Sequence, residues 1–239
     1  MHDILVYGPI GESFFESGGM SARQFVRELG EARGDDVTVH VNSCGGDAMD
    51  AQAMAEAIRA YGGRVTASIE GIAASAASYF ALTADEVVMN PSALVMVHNP
   101  SSTVSGEAGD MRRAADTLDK VRDAIVLQYV RKTGRDGVEV AAWMDAETWF
   151  DAEEALAAGL VDALTEEPPV AALLDSRHAS AWRNAPAALT KRPGEAPAGE
   201  GGRTMAGDET PGVADAGAAA AGAGAVPKAV CVAGTFLNA

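Results

Sequence analysis

The run Val37-Thr38-Val39-His40-Val41-Asn42-Ser43-Cys44-Gly45-Gly46-Asp47 decides the fold. From Val37 to Val41 the residues alternate with the two-residue period of a strand. The glycine pair then turns the chain. Ala48 to Tyr61 has helical character and is closed by Gly62-Gly63, and Val65 to Ile69 reads as the next strand. Strand, glycine turn, helix and strand in this order make a βα unit.

The same alternation extends in both directions. Ile4 to Tyr7 is a short β-rich run stopped by Gly8-Pro9. Ser21 suits the N-cap of a helix from Ala22 to Ala32, in which Phe25, Val26 and Leu29 share a face. Gly71 reads as a turn and Ala73 to Thr83 as a helix of small residues. Val87 to Met89 and Leu94 to Val97 read as short buried strands. A long amphipathic helix follows from about Gly106 to Thr133, with Leu118, Val121, Ile125 and Tyr129 at helical spacing. Strands alternating with helices of these lengths predict an α/β fold with a mostly parallel sheet.

Composition changes near residue 166. After Glu166-Glu167-Pro168-Pro169 the chain becomes rich in Ala, Gly and Pro, with too few large apolar side chains to offset its ordering entropy. A folded unit over 1–166 and a mostly disordered tail over 167–239 are therefore expected. Within the tail, a short helix around Val170 to Trp182 and an apolar docking end at Ala229-Val230-Cys231-Val232 are the two segments with any structural signal.

Among 239 residues the formal charge is −16, which opposes binding to nucleic acid or to an anionic membrane. No apolar run approaches the roughly 18–20 residues of a membrane span. The start lacks the basic, apolar and small-residue pattern of a signal peptide, so an intracellular, reduced setting is expected. Cys44 and Cys231 are too few and too far apart for a disulfide framework or a metal site.

Three loops that follow strands carry the candidate chemistry, the usual location of sites in α/β folds. Gly45-Gly46 lets backbone N–H groups approach an anionic oxygen, although the pair equally suits a tight strand-to-helix turn. In Gly71-Ile72-Ala73-Ala74-Ser75-Ala76-Ala77-Ser78, a serine enters a helix beside free N–H groups. That suits a nucleophile, and it also suits a helix cap or a small-residue contact. His98 ends an apolar strand before Asn99-Pro100, where it is either a structural histidine or a general base. His2 is terminal, His40 lies within a strand and His178 in the tail, so they offer less.

Taken together, Asn42-Ser43-x-Gly45-Gly46, Gly71-x-Ala73-Ala74-Ser75 and Met96-x-His98-x-Pro100 resemble, in order and spacing, the ClpP-class serine peptidases. Ala152 to Asp162 resembles that family's closing helix and strand. The likeness covers about two-thirds of the chain and implies the ClpP/crotonase-type spiral of βα units. It implies Ser75 as nucleophile, His98 as base, and the N–H groups of Gly46 and Ala76 as the oxyanion hole. The family's aspartate is replaced by Glu147, with Asp145 as the alternative acid. Either also reads as a solvated loop carboxylate. Ala76 stands where Met usually follows the serine, and Cys44 where a proline usually precedes the glycines. No metal or organic cofactor is implied. Protein substrates and a homo-oligomeric ring, held partly through Ala108 to Tyr129, are.

Glu147-Thr148-Trp149-Phe150 and the Ala/Gly-rich extension resemble more narrowly the ClpP-related head maturation proteases of tailed bacteriophages. That implies capsid and scaffold proteins as substrates, in the host cytoplasm or the prohead. Three other readings compete. A Ser–Lys peptidase of the signal-peptide peptidase A type would use Lys120 as base. A crotonase-type acyl-CoA enzyme would share the architecture without needing Ser75 and His98. A non-enzymatic assembly or scaffold protein would carry a decayed site.

Overall fold

The computed structural model describes residues 2–11, 19–166 and 182–186. The apolar end at Ala229–Val232, His178, Cys231 and the helix expected from Val170 lie outside these residues, apart from Trp182. The disorder expected of 167–239 likewise concerns residues that, 182–186 excepted, are not described.

The elements run β1 (His2–Tyr7), α1 (Ala22–Glu31), β2 (Val37–Ser43), α2 (Ala48–Ala60), β3 (Val65–Ala74), α3 (Ala76–Ala81), β4 (Glu86–Met89) and β5 (Leu94–Val97). Then come α4 (Ala108–Thr133), α5 (Gly137–Ala146), β6 (Thr148–Phe150), α6 (Ala152–Ala158) and β7 (Ala163–Leu164). The sheet order is β1-β2-β3-β4-β7, parallel throughout, and β5 pairs with β3 while β6 runs antiparallel to β5. The expected α/β fold with a mostly parallel sheet is the one observed.

β3 forks the sheet. Its first half, Thr66 to Ile69, pairs with β4, and its second half, Ile72 to Ala74, pairs with β5. Two expectations are corrected here. Gly71 lies inside β3 rather than in a turn, and the helix expected from Ala73 begins only at Ala76. A run of alanines has no periodicity that separates strand from helix. Pairing with β5 holds Ala73 and Ala74 in the sheet, where both are fully buried.

One face of the sheet is covered by helices. Ile4, Val6, Val37, Val39, Val41, Val65, Ala67 and Ile69 point into that core with Phe25, Met54 and Phe80. Ser21 caps α1 as expected, accepting from Gln24 N–H at 3.3 Å. The opposite face carries polar groups. His40 Nδ1 lies 2.6 Å from Glu70 Oε1, and the Tyr7 hydroxyl also bonds Glu70; burial, with Glu70 adding to it, pushes the Tyr7 phenol up to about 12. His40 thus serves this surface cluster.

Candidate active site

The fork in β3 brings two chain ends together. Ser75 follows the last residue of β3, and His98 follows the last residue of β5. Because Ala74 pairs with Met96, the two strands deliver both side chains at the same level of the sheet. Ser75 Oγ and His98 Nε2 are 2.7 Å apart, a hydrogen bond in which the hydroxyl can donate to the imidazole.

Ser75 stands at φ 57° and ψ −124°, a conformation that L residues avoid. Its N–H donates to Met96 O at 2.9 Å, and its carbonyl accepts from Tyr79 N–H at 3.1 Å. Ser78 Oγ reaches Ser75 O at 2.8 Å and Met96 O at 3.0 Å, and meets the Tyr129 hydroxyl at 2.8 Å. The Ser78 proton therefore serves the two carbonyls, and the Tyr129 O–H, kept neutral by burial, donates to Ser78. This strand-to-helix corner exposes Oγ, as a nucleophile elbow does.

The glycine turn packs against that corner. Gly45 has φ +92°, and a Cβ there would fall 2.6 Å from Ala74 O and 2.9 Å from Ala76 N. Only glycine fits. Gly46 lies equally close to the backbone of Ile10, whose N–H bonds Gly45 O and whose carbonyl accepts from Asp47 N–H. Among the described residues, neither the Gly46 N–H nor the Ala76 N–H donates a hydrogen bond. Ala76 opens a helix of only six residues, so its contribution is a free N–H more than a macrodipole.

Glu147 is a buried cap, not a solvated loop carboxylate. It ends α5 in a left-handed conformation at φ 53° and is 4% exposed. Its charge favours a protonated His98, but among the described residues its own bonds run elsewhere. Oε1 accepts from the Asn184 backbone N–H at 2.7 Å, and Oε2 lies 3.5 Å from Arg183 Nε. Asp145 is turned away: its carboxylate accepts from Asn99 Nδ2 at 2.8 Å and from Arg122 at 3.1 Å, which holds its pKa below the usual carboxylate range. Lys120 is exposed on α4.

Burial holds the His98 imidazole below its ordinary value. Glu147 pushes it upward against this, and Arg183 adds to the depression. Trp182 supplies part of the cover, its ring meeting His98 edge to face at 5.1 Å between centroids. Sequence reasoning missed residues 183–186 and α5 altogether, and named Trp182 only as the end of an expected helix. The available signal was a tryptophan in a segment otherwise short of large apolar side chains. Among the described residues, no group of three or more His, Cys, Asp and Glu could hold a metal ion.

Comparisons with known proteins bear on this geometry. A family model described as Clp protease matches residues 20–168. The ATP-dependent Clp protease proteolytic subunit of Chara vulgaris is 32% identical over 142 residues, covering 58% of this chain and 65% of that protein, just under two thirds of its length. The ATP-dependent Clp protease proteolytic subunit 1 of Protochlamydia amoebophila is 30% identical over 150 residues, covering 59% of this chain and 73% of that one. Among solved structures, a point mutant of ClpP1 from Listeria monocytogenes superposes with a TM-score of 0.60. It shares 22% identity and covers 70% of this chain and 92% of its own, a likeness of fold.

Proposed function

The chain belongs to the Clp protease family, and from that premise we propose that it is a serine endopeptidase acting through Ser75 and His98. The observation that carries the reading is the 2.7 Å contact between Ser75 Oγ and His98 Nε2 at a strained elbow. His98 takes the Ser75 proton as Oγ attacks a peptide carbonyl. The N–H groups of Gly46 and Ala76 receive the oxyanion, a donor being worth roughly 2.7–4 kcal/mol in this role. Collapse of the tetrahedral intermediate breaks the C–N bond, and His98 returns the proton to the leaving amine. Water, deprotonated by His98, then hydrolyses the serine ester. Glu147 is the third member, acting on the imidazolium through its buried charge.

The substrates are capsid and scaffold proteins, cleaved in the host cytoplasm or the prohead during phage head maturation. Support comes from Glu147-Thr148-Trp149-Phe150 and from an Ala/Gly-rich extension beyond the family-matched residues. The active form is a ring of identical subunits. α4 has 26 residues but buries only Gln128 and Tyr129, and leaves Met111 and Leu127 exposed, as a subunit contact would require.

The deciding experiment is intact mass after incubation with a fluorophosphonate, for wild type, Ser75→Ala and His98→Ala. A single adduct on Ser75, absent from both variants, is expected. A well-folded oligomer that takes no label would overturn the peptidase reading in favour of a scaffold or acyl-CoA-binding role. An active, monodisperse monomer would overturn the ring. Cleavage of purified capsid and scaffold proteins of tailed bacteriophages, lost in Ser75→Ala, tests the substrate class.

A further inference from the structure

Residues 182–186 lie beyond the residues matching the family model, yet Trp182 packs on His98. Trp182 is 9% exposed and shares an apolar cluster with Cys44, Ile72, Ala74 and Met96. These residues come from the glycine turn and from the parts of β3 and β5 that lead into Ser75 and His98. Besides His98, the Trp182 ring meets Trp149, edge to face at 6.1 Å. Two residues on, Asn184 donates twice: its backbone N–H to Glu147 Oε1, and its Nδ2 to Ala146 O at 2.6 Å. Arg183 reaches Glu147 Oε2 and Asp145 O, each at 3.5 Å.

Acyl transfer needs an imidazole that can accept a proton and a carboxylate free to stabilise the cation so formed. Each contact of the segment opposes this. Trp182 removes His98 from water, and Arg183 places a like charge near the imidazolium. Asn184 and Arg183 occupy the oxygens of Glu147.

We infer that residues 182–186 are an inhibitory strap, seated by Trp182 in the apolar cluster beside Ser75 and by Asn184 and Arg183 on Glu147, and that its departure activates the site. This rests on Ser75 and His98 being the reacting pair. The seat is built for release. Among the described residues, the buried indole N–H groups of Trp182 and Trp149 have no partner, so exposure to water restores two hydrogen bonds. The Arg183 side chain is 68% exposed, which weakens its hold on Glu147.

The test uses the full chain carrying Trp182→Ala or Arg183→Ala. The second leaves the apolar seat intact and carries the test alone if the first does not fold. Two quantities are read: the titration of His98 by NMR of labelled histidine, and the rate of Ser75 labelling at about pH 8, above the ordinary imidazole range. In both variants His98 is expected to titrate at higher pH than in wild type, and labelling to accelerate several-fold, more for Trp182→Ala. Unchanged titration and rate in both variants would overturn the strap. Slower labelling in a folded variant would also overturn it, making the segment a support of the site. A raised His98 titration with no labelling of Ser75 in any form would leave the contact of the segment with His98 standing but overturn the peptidase reading, and the inhibition with it.

Discussion

Tyr129 on α4 and Ser78 on α3 share a 2.8 Å hydrogen bond between side chains that are both buried. Through Ser78 this bond reaches the carbonyls of Ser75 and Met96, which lie on either side of the nucleophile elbow. Tyr129→Phe removes one hydroxyl and leaves Ser78 its carbonyl partners. Stability should fall by about 0.5–1.5 kcal/mol. Ser75 acylation should slow several-fold, because the elbow loosens. Thermal unfolding beside single-turnover kinetics checks both parts. An unchanged acylation rate would confine Tyr129 to packing.

Glu147 and Asp145 separate cleanly by mutation. Glu147→Gln keeps the shape of a buried cap and deletes the charge that favours the His98 cation. Acylation should drop by roughly 10²-fold or more, the scale of general acid–base assistance. Asp145→Asn changes a solvated carboxylate that holds Asn99 and Arg122, and should leave the rate nearly unaltered. Labelling rates for the two variants decide. Equal losses would sink the assignment of Glu147.

The His98 value is lowered in the folded chain, so its pH effects have a definite sign. A base depressed on folding binds fewer protons folded than unfolded. Its contribution to stability is full above the ordinary imidazole value and is lost as pH falls through the folded one. Stability should therefore decline on acidification through that window, and less so in His98→Gln. For the same reason the acid limb of kcat/KM should lie below 6.5, the ordinary imidazole value. An acid limb above it would mean that Glu147 outweighs burial.

Two glycines make opposite predictions. Gly45→Ala drives a methyl against Ala74 O and Ala76 N at a positive φ, so the turn and the elbow must part. A loss of more than about 1–3 kcal/mol and of Ser75 labelling is expected. A Cβ at Gly30, on α1, meets nothing within 4 Å, and Gly30→Ala should stabilise by about 0.4–1 kcal/mol. Denaturant midpoints of the two variants provide the comparison.

The strands and the long helix were legible because their periods are strong. β2 alternates buried and half-buried residues from Val37 to Ser43, and its pattern alone located the glycine turn. Ser75 could be nominated because a serine enters an expected helix and His98 because it ends an apolar strand, and both by resemblance, although their 2.7 Å contact depends on β3 forking. That fork has no signature in sequence, since Gly71 within a strand looks like Gly71 in a turn. Glu147 was nominated by position only. Its burial follows from α5 ending in a left-handed residue, a place usually filled by glycine, so the sequence pointed to a loop. Trp182 reaches its seat from far along the chain, and a lone tryptophan in such a segment marks a contact without naming its partners.

The backbone at Ser75 sits where glycine would rest without strain, a tension on the order of 1–3 kcal/mol. Replacing the serine by glycine would relieve that tension while abolishing the nucleophile. Inheritance therefore runs on a slope here: each generation in which the hydroxyl goes unused favours its disappearance, and a lineage released from selection would drift toward a sturdier, silent copy.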